Sequence, residues 1–247
     1  MDTINNHIMS TSKDTEAQAA DKSMARDTIL IIGATGSLGR SLVAELLHRS
    51  GVRKICLLGR SCQSFAKAGY IDSDGKSIDN LHVVVCKDMS DRAQLLDEWF
   101  SDVSVVICLA RPRSLKAGDG DSFHSMAVNI SVAVCENHVP RFLLHGMPYV
   151  EGNSFGESPT MKILKETEEE VKTYFGAHLQ STLTVSRCCE MCEIGHLNEE
   201  VHLLGLLPCA TGINPRLHPA TALDFASAVV SFVDDEAYTA PEFLQVG

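Results

Sequence analysis

The chain has 247 residues, 45% of them hydrophobic and 21% charged, and a formal net charge of −11. That length gives room for one large α/β domain with a buried core and is short for two. The acidic balance argues against nucleic acid or an anionic membrane surface as a main partner, since both call for clustered Lys and Arg. No apolar run approaches the ~20 residues that span a bilayer.

Residues 1–26 are polar and lack apolar periodicity. They have neither the apolar stretch of a secretory signal nor the Arg-rich character of a transit peptide, and they read as a disordered tail. A first strand follows at Thr28–Ile32, then a helix over about 37–50, with Leu38, Leu42, Leu46 and Leu47 on one face and Arg40 and Glu45 turned away. A second strand is predicted at Lys54–Leu58. The stretch 61–80 contains the turn signal Asp72-Ser73-Asp74-Gly75 and reads as a loop-rich crossover. A third strand, Leu81–Cys86, leads to Asp91, placed as the N-cap of a helix over 91–100. The fourth strand is Val103–Leu109, followed by an exposed loop over 111–121 and a helix at about 122–137. Then come a strand at Arg141–His145, a helix at about 159–175, a strand at Ser181–Arg187 and an irregular stretch over 188–220.

Short, continuously apolar runs alternating with helical periods are the pattern of a parallel sheet covered on both faces. The expected fold is therefore α/β: a Rossmann-type doubly wound parallel sheet with a small irregular substrate-side region near the C-terminus, forming one domain over 27–247. Three of the nine cysteines, Cys56, Cys86 and Cys108, sit inside those runs and read as small buried hydrophobes. The odd count without a secretion signal favours a reducing compartment, the cytoplasm by default.

The first strand ends in Gly33-Ala34-Thr35-Gly36-Ser37-Leu38-Gly39-Arg40 and passes at once into a helix. Gly33 permits the sharp turn, Gly36 lets backbone approach a diphosphate, and Gly39 lets helix and strand pack closely. The amides of Thr35, Ser37 and Leu38 belong to the same turn. An Arg at the end of the second strand pairs with a ribose 2′-phosphate, where a carboxylate would accept from a 2′-hydroxyl. The sequence there is Leu57-Leu58-Gly59-Arg60-Ser61, so Arg60, with Arg40 as a second positive contact, favours NADP(H) over NAD(H).

The Gly-x-x-Gly-x-x-Gly spacing closely resembles the short-chain dehydrogenase/reductase superfamily in its atypical, NmrA-like branch. The resemblance runs along most of the chain, through Lys87-Asp88-Met89-Ser90-Asp91, Asn129, Arg141-Phe142, Thr182-Leu183-Thr184-Val185-Ser186-Arg187, Ile213-Asn214-Pro215 and Asp224-Phe225-Ala226. It implies that the Asp88 carboxylate and the Met89 amide meet the adenine ring, and that Leu109 and Ala110 also contact the cofactor. Carbonyl-reducing members carry a Ser or Thr after the fifth strand and then Tyr-x-x-x-Lys. Tyr moves the proton, Lys lowers its pKa and holds the nicotinamide ribose, and Ser orients the carbonyl oxygen. This chain departs twice: the fifth strand runs into Leu144-His145-Gly146-Met147-Pro148-Tyr149 without the hydroxyl, and Met161 stands four residues before Lys165, where Tyr belongs.

Three readings follow. Lys165, with Glu169 one turn later, keeps the ribose-holding role. Tyr149 or His145 acts as a substitute proton donor. Otherwise the protein binds the cofactor without turnover. Hydride transfer to a substrate that draws its proton from water, or to a quinone, needs no Tyr.

The leading expectation is an NADP(H)-dependent oxidoreductase acting on a small organic molecule. Against it stand a non-catalytic redox sensor with a protein partner and an epimerase or dehydratase that recycles bound NAD. Cys188-Cys189-Glu190-Met191-Cys192 with His196 lacks the second ligand pair of structural zinc, so no metal is expected. The acidic run at Glu166, Glu168, Glu169 and Glu170 reads as a solvated helix face. No P-loop Lys follows the glycine turn. The ending Glu242–Gly247 resembles the family's late strand, with the expectation that the protein ends early or that this is a fragment.

Overall fold

Apolar runs of four to six residues make strands here because each is covered on both sides. The computed structural model describes residues 28–48, 54–78, 80–110, 119–146, 159–178, 180–188, 222–234 and 243–246. Strands β1 (Thr28–Ile32), β2 (Lys54–Gly59), β3 (Leu81–Val85), β4 (Val103–Cys108), β5 (Arg141–Gly146), β6 (Thr182–Cys188) and β7 (Phe243–Val246) form one sheet in the order β3-β2-β1-β4-β5-β6-β7. Every neighbouring pair is parallel. The helices are α1 (Ser37–His48), α2 (Cys62–Lys67), α3 (Asp119–Glu136), α4 (Pro159–Gly176) and α5 (Ala222–Asp234).

The two-residue period of the strands divides the core. Ile29, Ile31, Ile107 and Leu143 face one cluster with Leu42 and Val43 of α1 and with Phe225, Val229 and Phe232 of α5. Leu30, Ile32, Val106, Phe142 and Leu144 face the other, with Phe123, Ala127 and Ile130 of α3 and with Val171 and Phe175 of α4. A helix layer on each face is the doubly wound arrangement that the alternating pattern implies. Arg141 ties α5 to the sheet. Its guanidinium lies 4.0 Å from the Phe232 ring centroid and donates to the carbonyls of Phe232 and Val233 at the helix C-terminus.

Three local expectations are corrected. The helix over 91–100 is instead two 3-10 turns, Arg92–Gln94 and Asp97–Trp99. Asp91 does cap, accepting from the Ala93 amide at 3.1 Å, but Leu95 and Leu96 are extended. Arg92 pins that break by donating to the Leu95 carbonyl at 2.8 Å and pairing with Asp97 and Glu136. In α1, Leu47 is 41% exposed, whereas Val43 is buried beside Leu42 and Leu46. A 3.6-residue turn carries position 47 past the edge of the buried stripe. The crossover over 61–80 has the expected turn, with the Gly75 amide donating to the Asp72 carbonyl at 3.1 Å, but it also holds α2 and an antiparallel bridge between Ile71 and Ser77, which composition did not signal.

The cysteines in the strands behave as small apolar residues. Burial pushes the Cys56 and Cys108 thiols up to about 11, which leaves them protonated and unreactive at neutral pH.

Candidate functional site: a cleft at the sheet's switch point

The strand order reverses between β1 and β4, and the crevice beyond their carboxyl ends is where a doubly wound sheet opens. The glycine turn lies at this point. Gly33 has φ of +87°, and a Cβ there would lie 2.7 Å from the Ala110 amide nitrogen, against the backbone that follows β4. The Leu109 amide donates to the Ile32 carbonyl at 2.8 Å, so β1 and β4 stay paired up to the mouth of the cleft. A Cβ on Gly39 would sit 2.4 Å from the Gly33 carbonyl oxygen and 2.6 Å from Ala34 Cα. Only glycine allows α1 to start so close to β1.

The amide of Gly36 donates within the turn to the Gly33 carbonyl at 3.1 Å, and the first helical bond runs from the Arg40 amide to the Gly36 carbonyl at 2.9 Å. The amides of Ser37, Leu38 and Gly39 therefore occupy the first helical turn, where no intrahelical acceptor exists. They carry the positive end of the α1 dipole. Gly36 contributes space rather than a donor, because nothing but the Gly33 oxygen, at 3.5 Å, lies within 4 Å of a Cβ built on it.

These residues border a cleft of about 780 Å3. Gly33, Thr35, Gly36, Ser37, Leu38 and Gly39 line its floor, Arg60 with Gly59 lines the β2 side, and Met89, Leu109 and Ala110 complete it. Ten of the twelve positions expected to contact the nucleotide apart from Lys165 thus meet in one cavity. Arg40 and Asp88 do not line it. Arg40 is an exposed residue of α1, and Asp88 is turned to its own loop. The Asp88 carboxylate accepts from the Ser90 amide at 3.0 Å and from the Ser90 hydroxyl at 2.5 Å, and the Asp88 amide donates to Gln94 at 3.2 Å. Those Ser90 hydrogen bonds, with a smaller contribution from Arg60, hold the Asp88 carboxyl below the usual range. Asn129 of α3 fixes the same loop from behind, donating to the Ser90 carbonyl at 2.7 Å.

Several lining residues went unread in the sequence. Ser61, Ser64 and Phe65 come from α2 and its N-cap, and Ser122, Phe123 and Met126 from the first turns of α3. Tyr70, outside the lining, donates from its hydroxyl to the Ala34 carbonyl at 3.0 Å. Burial pushes its phenol up to about 12, with Arg40 partly offsetting that shift, so it stays a donor at neutral pH. The spacing of Ser122, Phe123 and Met126 on a predicted helix was the available signal for α3. Nothing local marks Tyr70, 36 residues away from its partner.

The catalytic candidates are not brought together. His145 is in β5, 2% exposed, with Nδ1 3.1 Å from the Ser186 hydroxyl and its ring against Phe225 of α5. It therefore points to the α1/α5 face. Lys165 is an exposed residue of α4, which packs with α3 on the opposite face. His124 of α3 holds the two helices together, reaching Thr167 at 2.9 Å and Glu170 at 3.0 Å. Among the described residues none of β5 or α4 lines the cleft. Met161 is in α4, four residues before Lys165. Tyr149 lies outside the described residues, as do Cys189, Cys192 and His196; among the described residues no metal-ligating cluster occurs.

Sheet order, glycine turn and switch-point cleft together define the doubly wound Rossmann class. Residues 27–104 match the family model of the KR domain. No curated protein matches the sequence. Solved structures share the fold: Gre2 from Candida albicans in complex with NADPH has a TM-score of 0.65 at 12% identity, covering 89% of this chain and 78% of that one. UDP-glucose 4-epimerase from Thermus thermophilus, in complex with NAD, has a TM-score of 0.59 at 14% identity over 89% and 77%. A short-chain dehydrogenase/reductase family oxidoreductase from Burkholderia thailandensis has a TM-score of 0.57 at 18% identity over 89% and 90%. The solved structures share the doubly wound fold, and the KR-domain match spans β1 through β3 with the glycine turn and Arg60.

Proposed function

We propose that residues 27–247 form one domain that binds NADP(H) and acts as an oxidoreductase of the short-chain type on a small organic substrate. The observation that carries this reading is the meeting of the glycine turn, the first-turn amides of α1 and Arg60 in one cleft of about 780 Å3, a size suited to a dinucleotide. The chemistry of the parts fits: amides and a helix dipole suit a diphosphate, and a guanidinium suits a 2′-phosphate. The described relatives include proteins solved with NADPH and with NAD, which supports a dinucleotide generally. Arg60 at the end of β2, with no carboxylate beside it in Leu57-Leu58-Gly59-Arg60-Ser61, favours the phosphorylated form. Arg40 is a secondary contact, since it stands outside the cleft lining.

Bound nicotinamide supplies or accepts a hydride. The chain's own part is to orient the nucleotide through the turn, to hold the adenine side through Met89 and the Asp88 loop, and to position the nicotinamide ribose with Lys165. Tyr149 is the proposed proton donor. His145 is the weaker candidate, since it is buried against Phe225. No helix among the described residues is long and apolar enough to cross a membrane, and we place the protein in the cytoplasm.

A second reading, cofactor binding without turnover as in a redox sensor with a protein partner, is favoured by Met161 in the place of Tyr and by the absence of β5 and α4 side chains from the described cleft. Calorimetric titration with NADPH and NADH, repeated on Arg60→Ala, tests the binding claim. Loss of one charge-assisted pair worth about 1.5–3 kcal/mol weakens NADPH roughly 10- to 100-fold and leaves NADH unchanged. Equal affinity of the variant for NADPH removes the 2′-phosphate assignment. NADPH consumption across a carbonyl, enone and quinone panel then separates enzyme from sensor.

A further inference from the structure

We infer that Tyr70 is a positioning residue of the glycine turn: its hydroxyl holds the Ala34 carbonyl so that the Thr35 amide on the same peptide is aimed into the cleft. This rests on the reading of the cleft as a dinucleotide site and names what sets its geometry.

A trans peptide is planar, and its C=O and N–H point in opposite directions. The chain has no cis peptide among the described residues. Tyr70 donates to the Ala34 oxygen at 3.0 Å from the buried side of the turn. The N–H of that peptide belongs to Thr35, which lines the cleft. Fixing the oxygen fixes the plane, and fixing the plane fixes the donor. A hydrogen bond accepted by the carbonyl also polarises the peptide and strengthens its N–H as a donor. This matters at Thr35 because the neighbouring Gly36 amide is already engaged with the Gly33 carbonyl.

Tyr70 is built to hold still. Its amide donates to the Phe65 carbonyl at 3.0 Å, and its carbonyl accepts from the Ile78 amide at 3.1 Å. Its ring is 7% exposed and packs against Phe65, with centroids 6.5 Å apart. Phe65 in turn sits under Gly59, where a Cβ would come within 2.5 Å of the ring. The crossover between β2 and β3 thus braces the turn on one side while Arg60, Ser61 and Ser64 line the cleft on the other. An ordered bridge between Ile71 and Ser77, in a stretch whose composition suggests a loop, closes the brace.

The test uses the full chain, the variant Tyr70→Phe and two probes: NADPH, which carries the diphosphate, and adenosine 2′-monophosphate, which does not. Tyr70→Phe is expected to weaken NADPH about tenfold, the effect of one buried hydrogen bond, and to leave adenosine 2′-monophosphate within about twofold. Arg60→Ala has a different signature, weakening both. Undiminished NADPH affinity in Tyr70→Phe, or parallel weakening of both probes, overturns the inference. Failure of the wild-type protein to bind NADPH overturns the underlying reading of the cleft, and the inference with it. A measurement on the wild-type chain guards against a variant that does not fold: the Thr35 amide gains protection from hydrogen exchange with NADPH and not with adenosine 2′-monophosphate. Unchanged exchange at Thr35 also overturns the inference.

Discussion

The two sides of the switch point are built differently. On the β1–β2 side the turn that borders the cleft is built from backbone, with amides at the start of α1, glycines at 33 and 39 where no Cβ fits, and a carbonyl held by Tyr70, and Arg60 adds a side chain from the end of β2. On the β5–β6 side the polar side chains turn into the core, where His145 meets Ser186 and Phe225. Backbone donors survive most substitutions outside the glycines, because every residue but proline supplies an amide N–H. Chemistry at a reacting carbon needs particular side chains, and where a Tyr-x-x-x-Lys pattern ending at Lys165 would place Tyr the chain carries Met161. Under the proposed function, binding and turnover draw on different parts of the fold: the residues proposed to hold the diphosphate and the 2′-phosphate line one cleft, and among the described residues none of β5 or α4 joins them.

The comparison is broken most severely at Gly39. Gly39→Val places carbon against the Gly33 oxygen and the Ala34 backbone, which cannot retreat without moving β1. Overpacking against backbone costs about 3 kcal/mol or more, and thermal denaturation should register a fall of roughly 6–12 °C. A fall below about 2 °C would mean that α1 is free to shift, and the claim of a rigid turn would go with it.

A smaller effect is expected at Asn129, which supports the Met89 loop from α3. Asn129→Ala removes a side chain-to-backbone bond worth about 1 kcal/mol, or roughly 2–4 °C. NADPH affinity should fall less than in Arg60→Ala, since only the adenine side loosens. If melting and affinity are both unchanged, the loop is held by other contacts.

The least effect is electrostatic. Hydrogen bonds from Ser90, its hydroxyl first, hold the Asp88 carboxyl below its ordinary value of 3.8. A carboxyl depressed in the folded state adds stability above its unfolded pKa, and that stability is lost as pH falls through the folded value. The Asp88 titration followed by NMR should therefore have its midpoint below 3.8, and in Ser90→Ala it should move up. A wild-type midpoint at or above the ordinary value would show that the loop is open in solution and leave Asp88 free for the adenine ring.

Much of the fold was legible because the signals were local. Runs such as Ile29–Ile32 and Val105–Cys108 are apolar and buried at every position, which fits a strand covered on both faces. The Gly33-Gly36-Gly39 turn was legible for the same reason: strand, glycines and helix follow one another without a gap. The 91–100 segment misled because Asp91 does start a turn, while the Arg92 contacts that end it reach Glu136, 44 residues on.

The order of residues alone thus determined the doubly wound class, the glycine turn between β1 and α1 and the Arg at the end of β2. These depend on neighbours in the chain and on the 2.0 and 3.6 periods of strand and helix. Tertiary structure alone decided that Tyr70 braces Ala34, that Asp88 is engaged by Ser90, and that His145 and Lys165 lie on opposite faces of the sheet. Those outcomes depend on which elements pack across space, and a side chain's direction there is set by partners that its own segment does not contain.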